Sequence, residues 1–168
     1  MSILTVPARL ALMLVDAHPS ITNAYHYTRS NIDLANRPCW LVFIEDEAYP
    51  QESAGEELAE QGYSLAYIGK TYSDPSGTES QRYEQEAREV AVATVRYFLE
   101  HPMLQVANRR GLLDGPQTSL SGVNRTRLDR RSGVTLYTRD GVDAGAFWGF
   151  TIELTVINQI VYNETGIP

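Results

Sequence analysis

The chain has one cysteine, Cys39, among 168 residues. No intrachain disulfide can form, and a reducing compartment is allowed. Histidine is nearly as scarce, with only His18, His26 and His101. No H-x-x-x-H, C-x-x-C or H-E-x-x-H spacing occurs, so the sequence spells out no zinc site. It also lacks a G-x-S-x-G elbow and a G-x-x-x-x-G-K-S/T phosphate loop. No apolar run approaches the roughly 18 residues of a membrane span. The short run Leu10 to Val15 has no basic stretch before it and ends at Asp16, so no signal peptide is expected. Basic charge is scarce too. The net charge is −7 and the pI about 4.9, which argues against a dedicated nucleic-acid binder.

Hydrophobic residues make up 43% of the chain and charged residues 21%, the balance of a globular protein. The length suits one domain, 1–168, with a real core. The clearest period lies in Thr78 to Leu99, TESQRYEQEAREVAVATVRYFL. Tyr83, Ala87, Val90, Ala91, Thr94 and Phe98 recur at three- and four-residue steps, which predicts one helical face. Asp74, Ser76 and Thr78 offer capping oxygens, and Pro102 stops the helix. Such a helix is about 30 Å long and needs a sheet or other helices to cover its apolar face. A first helix is expected over Thr5 to Ala17, ended by His18-Pro19. A short, partly exposed strand is expected within 21–33.

Strand signals surround the long helix. Cys39 to Asp46 is apolar at both alternating sets, with Cys39, Leu41 and Phe43 on one side and Trp40, Val42 and Ile44 on the other. That pattern predicts a central strand covered on both faces, with Trp40, Val42 and Ile44 on the face away from the long helix. Residues 47–61 read as an acidic connection with one helical turn at Gly55 to Glu60. Gly62 to Tyr72 alternates and reads as the next strand, antiparallel to the first. Residues 109–145, rich in glycine, read as an irregular Arg-rich excursion. Its strands Val123 to Leu128 and Val134 to Tyr137 would form a hairpin projecting from the body. Ala146 to Tyr162 is the strongest strand. Phe150, Ile152, Leu154, Val156 and Ile160 point one way and Thr151, Glu153, Thr155 and Gln159 the other. The expected fold is α+β: a mixed, mostly antiparallel sheet of four to five strands, with two main helices packed on one face.

The charges are unevenly placed. Seven acids and no base fall between Glu45 and Glu60: Glu45, Asp46, Glu47, Glu52, Glu56, Glu57 and Glu60. Seven of the fourteen bases fall between Arg109 and Arg139, namely Arg109, Arg110, Arg125, Arg127, Arg130, Arg131 and Arg139. Every base but Lys70 is arginine, the residue suited to bidentate ion pairs. Two readings stand side by side. The blocks are solvated loops of an Arg-rich protein, or the acidic block of one subunit meets the basic block of the next. The second contact is head-to-tail and closes into a ring if the rotation permits.

None of these residues forms a catalytic pattern. His18 and His101 each precede a proline at a predicted helix end and read as C-terminal caps. Cys39 sits in the most apolar strand and reads as a small inert hydrophobe. The carboxylates fall on the exposed helix face or in the acidic block, where solvation accounts for them. The expectation is therefore no enzyme, no metal and no cofactor. A small cytosolic enzyme or ligand-binding domain with dispersed site residues stays open as the alternative.

The order helix, short strand, apolar strand, strand, long helix, irregular hairpin, long final strand carries a resemblance. Arg37-Pro38-Cys39-Trp40-Leu41-Val42-Phe43, the alternating Tyr63 to Ile68, the acidic-faced helix Thr78 to Leu99 and the closing FTIELTVINQIVY together resemble the tail terminator (neck) proteins of long-tailed bacteriophages. The resemblance implies a virion subunit assembled in the host cytoplasm. Six copies would form a ring that caps the tail tube and meets the head connector. The partners it implies are other copies, the tail tube protein and the head-connector or head-closure protein, with DNA only in transit and no membrane. A neighbouring head-closure or tail-completion role fits the same pattern. The intersubunit candidates are Glu45, Asp46, Glu47, Glu52, Glu56 and Glu57 against Arg109, Arg110, Arg125, Arg127, Arg130 and Arg131. The Arg-rich segment could instead face DNA.

Overall fold

A computed structural model describes residues 5–26, 36–48, 51–53, 56–72, 77–138 and 145–161. Of strand residues 46–48, 51–53, 56–58 and 159–161 only the backbone is described. The later part of the strand expected at 21–33 and the capping residues Asp74 and Ser76 lie outside the described residues.

The elements follow in the order α1 (Thr5–Ala17), β1 (Asn23–Tyr25), β2 (Cys39–Ala48), β3 (Gln51–Ser53), β4 (Glu56–Ile68), α2 (Thr78–Glu100), β5 (Val123–Arg131), β6 (Thr135–Tyr137) and β7 (Phe147–Val161). The main sheet order is β1-β2-β4-β7-β5, with β3 on β4 and β6 on β7. Only β1 and β2 run parallel, so the sheet is mixed and mostly antiparallel. The fold is α+β, with two helices on one face, as the periods predict.

The apolar stripes explain the packing. Leu10, Met13 and Leu14 of α1 and Ala87, Val90, Ala91 and Phe98 of α2 are buried in one cluster with Tyr63, Leu65, Phe150, Ile152 and Leu154 of the sheet. Trp40, Tyr67 and Phe150 form its aromatic centre, with ring centroids 5.0–5.5 Å apart. Such pairs contribute about 0.5–1.5 kcal/mol each beyond their area. α2 starts after Gly77, whose φ of 80° is left-handed and so suits glycine. It ends at His101, whose N–H bonds Tyr97 O and Phe98 O and whose Nδ1 donates to Tyr97 O at 2.8 Å. His101 is thus the expected cap. His18 directly follows the last residue of α1, and its Nδ1 accepts the Ser20 N–H at 3.2 Å in the turn that comes next.

Three expectations are corrected. First, Trp40 and Val42 do not face away from the helices. Trp40 pairs with Tyr67 and Val42 with Leu65, so these side chains share the helix-covered face. The opposite face of β2 carries Cys39, Leu41 and Phe43. Second, the acidic connection is not helical. β2 runs to Ala48, β3 follows, and β4 begins at Glu56, so the acids sit on extended chain. Third, the projecting hairpin is not formed. β5 and β6 do not pair with each other; both pair with β7, end to end along one edge of it. The Arg-rich strand is part of the main sheet.

Candidate functional site

The new placement of β5 decides what its arginines can do. Arg125 pairs in register with Ile157, Arg127 with Thr155, Arg130 with Glu153 and Arg131 with Ile152. On the other side of β7, Glu60 pairs with the same Ile157. The acidic and basic strands are therefore two sheet positions apart, about 10 Å. They meet within one subunit: Arg127 lies 3.6 Å from Glu60 and 2.7 Å from Asp129. Asp129 also accepts the Thr155 hydroxyl at 2.5 Å. The Asp129 hydrogen bond holds the Arg127 guanidinium above its ordinary pKa.

Arg109 and Arg110 are also committed internally. Arg109 pairs with Glu100 and stacks over the Tyr97 ring, 4.9 Å from its centroid. Arg110 donates to Val15 O at 2.7 Å and to Ile21 O, tying α1 to the chain after it. Of the six candidate arginines, Arg125, Arg130 and Arg131 are exposed and form no ion pair among the described residues. Among the acids, Glu45 is exposed. The backbone of Asp46, Glu47, Glu52, Glu56 and Glu57 lies on β2, β3 and β4. Their side chains are outside the described residues.

The hydrogen-bonding edge of β5 is guarded. Its register shifts between Val123 and Arg125 and again between Leu128 and Arg130. The Thr126 N–H points away from β7 and is taken by Pro102 O at 2.7 Å. Bulges, charge and a covering loop are the usual devices against edge pairing. A neighbour is more readily met through side chains here than through an added strand.

A polar hub lies between the helices, and sequence reasoning missed it. Asp16 is 5% exposed. Its Oδ2 accepts from Tyr97 OH at 2.7 Å and from Arg109 N–H at 3.0 Å, and its Oδ1 from Arg110 N–H at 3.0 Å. Asn108, at φ 57°, turns successive N–H groups toward the carboxylate. Burial alone would raise the Asp16 carboxyl, but the donors of Arg110, Tyr97, Arg109 and Asn108 outweigh it and hold the pKa below the ordinary value. Tyr97 OH in turn accepts the Ala107 N–H at 2.9 Å. Burial, reinforced by Asp16, raises the Tyr97 phenol. The one available signal was a lone acid at the end of an apolar helical face. The hub is architectural: it docks the segment after α2 onto α1.

Burial pushes the Cys39 thiol up to about 11 against the pull of Arg37, so the thiolate is suppressed at neutral pH. Among the described residues no three His, Cys, Asp or Glu side chains converge as metal ligands. None of the described helices is long and apolar enough to cross a membrane. The hollows on α2 are shallow. One is lined by His18, Arg88, Glu89, Val92 and Arg96, and its neighbour by Val92, Val95, Arg96, Leu99 and Arg131. Compared with known proteins, the chain matches no family model and no curated protein.

Proposed function

We propose that the chain is a structural subunit of a phage neck, a tail terminator. It forms a ring that caps the tail tube and joins it to the head connector. The observation that carries this reading is the face of the sheet opposite the helices. Both helices pack on the Trp40 face. On the other face Leu41, Ser64, Ala66 and Thr151 are only half-buried, and Phe43 is 41% exposed. A seven-strand sheet with one layer of helices is open to a second layer. Neighbouring copies would supply that layer. The net charge of −7 fits a passage through which DNA slides without adhering.

The internal contacts of Arg109, Arg110 and Arg127 narrow the charge contact to Arg125, Arg130 and Arg131. Reading the purified chain by light scattering and negative-stain imaging tests the proposal. The expected result is a closed ring of one size that binds the end of a tail tube. A chain that stays monomeric at every concentration, with no ring in the images, overturns it.

A further inference from the structure

The open face of the sheet has a pattern that a helix would fit. Directly opposed residues share a face, so Phe43, Ser64 and Glu153 form one row across β2, β4 and β7. Leu41, Ala66 and Thr151 form the next row. Ser64 and Ala66 are small, so β4 makes a low strip on this face. Phe43 and Leu41 wall it on one side, and the Glu153 carboxylate stands on the other. Phe43 and Glu153 are two strand spacings apart, about 10 Å. Both are exposed, and Glu153 forms no ion pair among the described residues. Arg130 of β5 stands opposite Glu153 and marks the basic flank of the face. A cationic partner is therefore confined to the part over β2, β4 and β7.

The same chain carries the complementary helix surface. Val92 is 58% and Leu99 66% exposed, the two highest exposures among the large apolar side chains of the described residues. They lie two turns apart on α2, about 10 Å, with Arg96 between them. Arg96 forms no ion pair among the described residues. We infer that the C-terminal half of α2 of one copy lies along the β4 strip of the next, with Val92 and Leu99 against Phe43 and Leu41 and with Arg96 paired to Glu153. The inference rests on the ring reading and names what supplies the second layer on the open face. With about 3.6 residues per turn, Val95, Leu99 and Val92 lie roughly 95–155° around α2 from the centre of its buried stripe. That stripe looks toward the sheet, the direction in which the open face looks outward. The two patches are thus inclined rather than back to back. A head-to-tail contact between inclined patches turns at every step, as a closed ring requires. The Arg96–Glu153 pair would fix the register, and the apolar side chains would exclude water around it.

Cysteine pairing in the full chain tests the contact. The one native cysteine, Cys39, is buried, so an oxidant joins only cysteines placed at the surface. Phe43→Cys is combined with Val92→Cys in one chain and with Leu99→Cys in another. At least one of the two is expected to give a ladder of covalent multimers on a denaturing gel, and each single variant to give monomer. Charge reversal is the second measurement. Arg96→Glu and Glu153→Arg are each expected to weaken assembly by about tenfold or more in light scattering, and the chain carrying both to regain it. Should Glu153→Arg fail to fold beside Arg130, Glu153→Gln reads the same loss. Absence of a ladder from both double-cysteine chains, while wild type forms rings, overturns the contact and leaves the ring reading standing. So does wild-type assembly of either charge variant. A covalent dimer from Phe43→Cys alone means that two open faces meet, and overturns it as well. A wild-type chain that never assembles overturns both the contact and the ring.

Discussion

Removing the Asp16 carboxylate should unfasten the segment after α2 from the rest of the core. Asp16→Ala deletes the acceptor of three hydrogen bonds, from Tyr97 OH and from the N–H groups of Arg109 and Arg110. Hydrogen bonds to a charged group contribute about 1.5–3 kcal/mol each, but they are not additive once the site admits water. The expected loss is about 3–5 kcal/mol. At about 2–4 °C per kcal/mol for a domain this size, the melting temperature should fall by roughly 10 °C. Asp16→Asn keeps one acceptor oxygen and turns an NH2 group toward a backbone donor, and should cost about 2 kcal/mol. The pH dependence carries a sign. The folded pKa of Asp16 is depressed, so between the folded and unfolded values the unfolded chain binds more protons. The contribution is complete above the unfolded value of about 3.9 and is lost as pH falls through the folded value. Urea titrations of wild type and Asp16→Asn should therefore differ by a constant amount at neutral pH and converge in acid. Tyr97→Phe should couple to Asp16→Asn by about 1 kcal/mol in a double-mutant cycle. An Asp16→Ala chain within about 0.5 kcal/mol of wild type would refute the hub, as would a gap that does not narrow in acid.

Other substitutions test other parts of the fold. Gly69→Ala would bring a Cβ to 2.5 Å from the backbone oxygen of Trp148, where β4 leaves β7. It should cost about 1–3 kcal/mol in the urea midpoint. Arg127→Gln breaks contacts that are largely exposed, and chemical denaturation should register about 1 kcal/mol or less. Trp40→Ala removes the centre of the aromatic trio and should cost about 3–5 kcal/mol, with loss of the near-ultraviolet dichroism of the core.

Local periods were legible, and long-range pairing was not. The α2 stripe from Tyr83 to Phe98 located the helix to within a residue, because a 3.6-residue period needs no partner to be seen. The alternation of Phe150, Ile152, Leu154 and Val156 located β7 for the same reason. Cys39 to Ile44 is apolar on both sides, so its sequence could not say which set faces the helices; the pairing of Trp40 with Tyr67 settles it. Strand-forming potential in the acidic block was masked by its charge. β5 and β6 looked like a hairpin because they are neighbours in sequence, yet β7 offers both a longer ladder. The Asp16 hub joins residues 81 to 94 positions apart, and no spacing rule reaches that far. The hollows along α2 left no such signal, because Val92 and Leu99 fall outside the buried stripe and read as ordinary surface residues one at a time.

The place of β7 in the chain bears on how the protein is made. β7 joins β4 on one side and β5 and β6 on the other, yet it follows all of them in sequence. A ribosome releases residues in order, at about 5–20 per second. Until Phe147 to Val161 emerge, β4 and β5 each present an unsatisfied edge, and the apolar stripe of α2 has only part of its bed. For that interval the nascent chain offers sticky strands to any neighbour, including another nascent copy on the same messenger. Synthesis speed between the codons for β5 and those for β7, and chaperone contact there, should govern yield more than the final stability does.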